Sequence, residues 1–138
     1  MIAECPPLVS AWNDDDELAG TSAAGLDASC RTERGHFVAT LRGVLDGAIA
    51  PTLREYLLCL VHESAGRLII DLSAVTHADV NGLAILVGTG RRATLLGGLL
   101  RLAAPAPQVA AALNASGLDR QLRVYRSVEA AISGTRSV

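Results

Sequence analysis

Two carboxylates lie near one strand end, Asp71 and Asp79, and they are the first residues whose types suggest chemistry. Paired carboxylates can divide acid and base roles. No nucleophile or oxyanion device accompanies them, so the sequence gives no case for an enzyme. The histidines His36, His62 and His77 are scattered, with no carboxylate or Cys at ligand spacing, and no metal site is expected. His77 could touch a partner or sense pH; a solvent-facing loop histidine is the plainer account. Cys5, Cys30 and Cys59 are odd in number and widely spaced, with no CxxC pair. Free thiols in a reducing cytosol fit that pattern. Gly88-x-Gly90 and Gly97-Gly98 are not phosphate loops: no Gly-Lys-Ser/Thr follows, and the chain has no Lys. No cofactor is expected.

The elements that must carry these residues fit one domain. A chain of 138 residues can bury a core unaided. Aromatic residues make up 3%, so Leu, Ile, Val and Ala must fill that core. A net charge of −2 gives no general pull toward nucleic acid or an anionic membrane. Arg as the sole basic residue type besides His reads as a mark of a GC-rich bacterial genome. No basic and apolar leader opens the chain, and no apolar run is long enough to span a bilayer, so a cytoplasmic location is expected.

The composition changes near residue 34. Residues 1–33 hold Pro6-Pro7, the acidic run Asp14-Asp15-Asp16-Glu17 and a small-residue stretch, with no lasting periodicity. They read as a flexible acidic tail ahead of a folded domain over 34–138. The acidic run could dock on a basic partner; a solvated, solubilising segment is the plainer account.

From Arg34 strands and helices alternate. His36 to Leu41 reads as a strand ended by Arg42-Gly43, and Val44-Leu45 as a second short one. Ile49, Leu53, Leu57 and Leu60 mark a helix with Pro51 in its first turn and Gly66 past its end. The unalternating run Leu68-Ile69-Ile70 suits a central strand covered on both faces. A turn-rich stretch from Ser73 to Asn81 leads to a tightly packed helix over Leu83–Leu96. Gly88 and Gly90 in that helix imply close backbone packing. Leu99 to Ala103 is a third major strand. Pro105 and Pro107 open a helix closed by Gly117, Leu122 to Tyr125 is a last strand, and Ser127 caps a final helix. The pattern is an α/β layer structure with parallel, right-handed crossovers.

The segment from Leu68 to Leu83, Leu-Ile-Ile-Asp-Leu-Ser-Ala-Val-Thr-His-Ala-Asp-Val-Asn-Gly-Leu, resembles the signature of STAS domains. Gly43-Val44-Leu45-Asp46 and the stretch from Pro107 to Ala131 resemble other parts of the same family. The resemblance implies an α/β STAS (SpoIIAA-like) fold, a single mixed sheet of four to five strands with about four helices packed on it. It also implies a non-enzymatic anti-sigma-factor-antagonist class of protein. Such proteins bind an anti-sigma factor, a serine-protein kinase of the histidine-kinase-like ATPase type. A serine after the Asp at the helix start is phosphorylated to break the complex.

Here Asp79 matches the Asp, Gly82 matches the Gly, and the serine position is Val80. By this resemblance Asp79, Val80, Asn81, Gly82 and Leu83 form the partner-binding loop, with no hydroxyl at residue 80 to carry a phosphate. Asp79 should cap the helix, Asn81 should tolerate unusual backbone angles, and Gly82 should let a partner's backbone come close. Three readings of Val80 stay open. The protein is a permanently active antagonist, a divergent STAS protein with another partner, or one whose switch has moved to Ser73 or Thr76. Both hydroxyls have an ordinary alternative in bonding to nearby backbone. Arg91-Arg92 either pairs with an acidic partner or solvates a helix end. A competing assignment is a STAS accessory or scaffold subunit of a lipid transporter or stress-sensing complex. A homodimer is possible; membrane insertion and direct nucleic-acid binding are not expected.

Overall fold

The computed structural model describes residues 26–47, 50–120 and 122–134. Strands β1 (Leu26–Glu33) and β2 (His36–Leu45) lead into helix α1 (Ala50–Glu63). Strand β3 (Arg67–Ala78), helix α2 (Val80–Leu95), strand β4 (Leu99–Ala103) and helix α3 (Pro107–Ser116) follow. A 3-10 turn (Leu118–Arg120), strand β5 (Arg123–Tyr125) and helix α4 (Val128–Ser133) complete the described chain. The five strands form one sheet in the order β1-β2-β3-β4-β5. Only the β1–β2 pair is antiparallel. The mixed sheet and the four helices are the architecture expected from the sequence.

Three strand boundaries differ from expectation. Residues 26–33, read from the sequence as part of the tail, form the edge strand of the sheet. Leu26 and Ala28 are buried, and Arg34 and Gly35 close a two-residue hairpin with φ of 51° and 81°. The acidic run 14–17 lies outside the described residues. Secondly, β2 does not break at Arg42-Gly43. Gly43 has φ 115°, and the β2–β3 register shifts on either side of it, so it is a bulge within one strand. Thirdly, β3 runs through the stretch read as turns and ends at Ala78. Thr76 in that extension donates its hydroxyl to the Gly43 carbonyl at 3.2 Å and steadies the bulge.

The sheet packs on both faces. Leu68, Ile70 and Leu72 point to the larger core with Leu53, Leu57, Leu60, Leu86 and Leu113, under α1, α2 and α3. Ile69 points the other way, with Val38, Ala103 and Tyr125 beneath Ala131 and Ile132 of α4. The central run Leu68-Ile69-Ile70 is therefore fully buried, as its lack of alternation implied. Gly90 packs against the Leu122 side chain, but a Cβ on Gly88 would meet nothing, so close packing accounts for one glycine and not the other. Cys30 is a half-buried free thiol whose pKa is raised by burial. Cys59 is disulfide-bonded, which corrects the expectation of a free thiol there.

Candidate functional site at the start of helix α2

Helix α2 begins where β3 leaves the sheet, and Asp79 makes the junction. Its backbone is extended, with φ −104° and ψ 176°. Its carboxylate accepts the Gly82 N–H at 2.8 Å, and its carbonyl accepts the Leu83 N–H at 2.9 Å. Its own N–H donates to the Leu45 carbonyl at 3.1 Å. The side chain thus satisfies an orphan donor of the helix, the carbonyl accepts the first intrahelical bond, and the N–H ties the junction to the end of β2. The carboxylate also suits the positive end of the helix dipole.

The five loop residues of the signature divide into two groups. Asp79, Val80 and Asn81 are exposed, Val80 with 62% of its surface open. Gly82 and Leu83 are buried. A Cβ on Gly82 would lie 2.3 Å from the Leu45 carbonyl oxygen. The backbone that comes close to Gly82 is therefore the chain's own β2, not a partner's. Leu83 is 1% exposed and belongs to the main core. Asn81 sits in the first turn of α2 and needs no unusual backbone angle; it packs beside Gly47. The presented surface is thus a small apolar knob at Val80 flanked by Asp79 and Asn81, with exposed Ala84 one turn on.

The two alternative hydroxyls are both exposed. Thr76 is held to Gly43 as described, in line with a backbone-closing role. Ser73 lies beside Asp71, whose carboxylate accepts the Ser73 N–H at 3.0 Å. Asp71 and Asp79 cannot work as a pair: seven residues of extended strand lie between them and hold them roughly 25 Å apart. The three histidines stay apart as well, and among the described residues no group of three His, Cys, Asp or Glu could hold a metal. His36 bonds the Arg34 carbonyl at 3.3 Å at the opposite end of β2. Its pKa is lowered by partial burial and by Arg101 and Arg67, against a smaller raising effect of that bond. His77 is exposed on β3 rather than in a loop.

Gln108 had no sequence signal. From the first turn of α3 its side-chain amide donates to the Thr76 carbonyl at 2.9 Å, bracing the end of β3 that feeds the site. A lone Gln near a helix start is too common to be read as a brace from its neighbours alone. Between α1 and α2 an open groove of about 500 Å³ starts at Pro51 and Asn81 and runs along both helices to Leu95.

The STAS domain model matches residues 27–131. An anti-sigma factor antagonist from Mycobacterium paratuberculosis is 27% identical, with a TM-score of 0.72 over 81% of this chain and 95% of that one. RsbS of Moorella thermoacetica is also 27% identical, with a TM-score of 0.64 over 78% of this chain and 92% of that one. The murine Slc26a9 anion transporter shares the fold at 19% identity and a TM-score of 0.65, over 75% of this chain and 18% of that one. No curated protein matches the chain. Among the described residues no helix is long and apolar enough to cross a membrane. The match spans most of the sheet and all but the end of α4, so the chain belongs to the STAS domain family.

Proposed function

We propose that this STAS protein binds a regulatory protein of the anti-sigma, histidine-kinase-like ATPase kind through Asp79, Val80, Asn81 and the exposed side of α2. The observation that carries this reading is the open valine at the first position of a tightly capped helix. An apolar side chain left in water at such a rigid point is well placed for burial against a partner. The 27% identity to an anti-sigma factor antagonist supports the partner class. In this reading Gly82 and Leu83 hold the knob in place without touching the partner. In this reading the protein performs no chemistry itself.

The loop would then recognise its partner without a phosphate switch at residue 80. Val80→Asp tests this directly. An added carboxylate at the first helical position favours the helix by about 0.3–1 kcal/mol, so the fold should survive. Burying that charge at an apolar contact should weaken binding at least about tenfold in calorimetry. Unchanged affinity would remove the loop from the interface. Val80→Ser should make the chain a substrate of a kinase-type partner, while the wild type stays unmodified in mass spectrometry. Phosphate on wild-type Ser73 or Thr76 would move the switch to the exposed stretch of β3.

A second reading, an accessory or scaffold subunit of a transport or stress-sensing complex, draws support from the shared fold of the anion transporter. Capture of a transporter component or a large STAS assembly, in place of an ATPase of the kinase type, would favour it.

A further inference from the structure

The groove between α1 and α2 has an apolar floor and a cationic rim. Leu58 and Ile85 line its floor, and Leu95, 76% exposed, closes its far end. Its ionisable lining residues are Arg54, Arg91 and Arg92, all exposed. Among the described residues no carboxylate pairs with any of the three; the ion pair found there is Arg31 with Glu33. Three like charges along one groove repel each other, and an anionic segment laid between them relieves that repulsion.

The same chain carries such a segment. Asp14-Asp15-Asp16-Glu17 is a run of four carboxylates, and eight residues separate it from Leu26. Leu26 pairs with Gly43 near the end of β2 whose Leu45 carbonyl holds Asp79, so the chain enters β1 at the end of the sheet where α2 begins. Strand β1 also packs into the core beneath α1, the other wall of the groove. Nine extended steps reach about 30 Å. Asn81 to Arg92 along α2 is only about 17 Å. The tether is therefore longer than the groove it would follow.

We infer that the acidic run 14–17 docks intramolecularly in the α1–α2 groove against Arg54, Arg91 and Arg92, and so covers the surface next to Val80. The docked segment is an internal competitor for any partner that approaches the start of α2. That last consequence rests on the proposed function; the docking itself does not. The contact is exposed and ionic, so salt weakens it.

The single tryptophan, Trp12, stands two residues before Asp14 and reports on the segment. The experiment uses the full chain without any partner, so its failure is separate from failure of the partner reading. The variants are Asp14→Asn with Asp15→Asn, Asp16→Asn and Glu17→Gln, and separately Arg54→Ala with Arg91→Ala and Arg92→Ala. The arginine set changes exposed charge and leaves the core alone. Each should raise acrylamide quenching of Trp12 by about threefold, as should 1 M salt in the wild type. Neutralising the acids should also move the backbone amide signals of Ile85 through Leu95. Amide signals that stay in place overturn the inference, whatever Trp12 does. Protection of Trp12 that fades on dilution also overturns it, because the groove then belongs to the segment of a second copy.

Discussion

The residues at the start of α2 show how much of the site can be read one position at a time. Asp79 was legible as a cap because capping needs only a short side chain ahead of a helix, and its carboxylate does meet the Gly82 N–H. Val80 was legible as an exposed apolar residue for the same local reason. Gly82 was not legible, because what demands it is the Leu45 carbonyl, far away in sequence. Gly82→Ala should gain about 1 kcal/mol of helix propensity and lose more to the clash. The clash is with backbone, which has little room to yield, so a net loss of about 1–3 kcal/mol is expected in urea melts. Asp79→Ala should cost about 0.5–2 kcal/mol by the same measurement. At the other end of β2, the lowered pKa of His36 sets a sign for pH. A base whose folded pKa lies below the ordinary 6.5 contributes fully above 6.5 and loses that contribution as pH falls toward the folded value. His36→Gln should therefore flatten part of the stability loss between pH 7.5 and 5.5, read as the difference in melting temperature from the wild type.

At the scale of elements, the helices and the central strands were the readable part. Leu53, Leu57 and Leu60 repeat at helical spacing, and all three are buried. Pro107 stands at the first position of α3, Gly117 ends that helix at φ 78°, and Ser127 accepts the Ala130 N–H at 3.0 Å to cap α4. Strand β1 is hard to read from sequence because two of its three inward residues, Ala28 and Cys30, are small, and its pairing depends on the Arg34-Gly35 turn. The break assigned to β2 has a different cause. A glycine inside a bulge and a glycine ending a strand look alike in sequence, and only the partner strand tells them apart. The long tail of β3 reads as turns in the sequence because Ser73, Thr76 and His77 are exposed polar residues on the part beyond its pairing with β4. Ser127→Ala should destabilise α4 by about 0.5–2 kcal/mol and loosen the small core beneath it, seen as faster amide exchange at Ala131 and Ile132.

For the whole molecule, β1 is the strand that seals the open edge of β2. Removal of residues 1–25 keeps every strand of the described sheet and should leave a chain that still melts cooperatively. Removal of residues 1–33 strips the edge strand, opens the β2 edge and uncovers the core beside Ala39 and Leu41. That shorter chain should aggregate or unfold. A folded, monomeric product from the second deletion would mean that β1 is dispensable. The two ends of the described chain also leave the molecule differently. The segment before Leu26 emerges at the pole of Asp79 and Val80, whereas α4 lies across the reverse side of the sheet. A purification handle or fluorescent fusion joined ahead of β1 would crowd the proposed recognition pole and hide partners from capture. The same handle joined after α4 would anchor the molecule by its back and leave that pole facing outward.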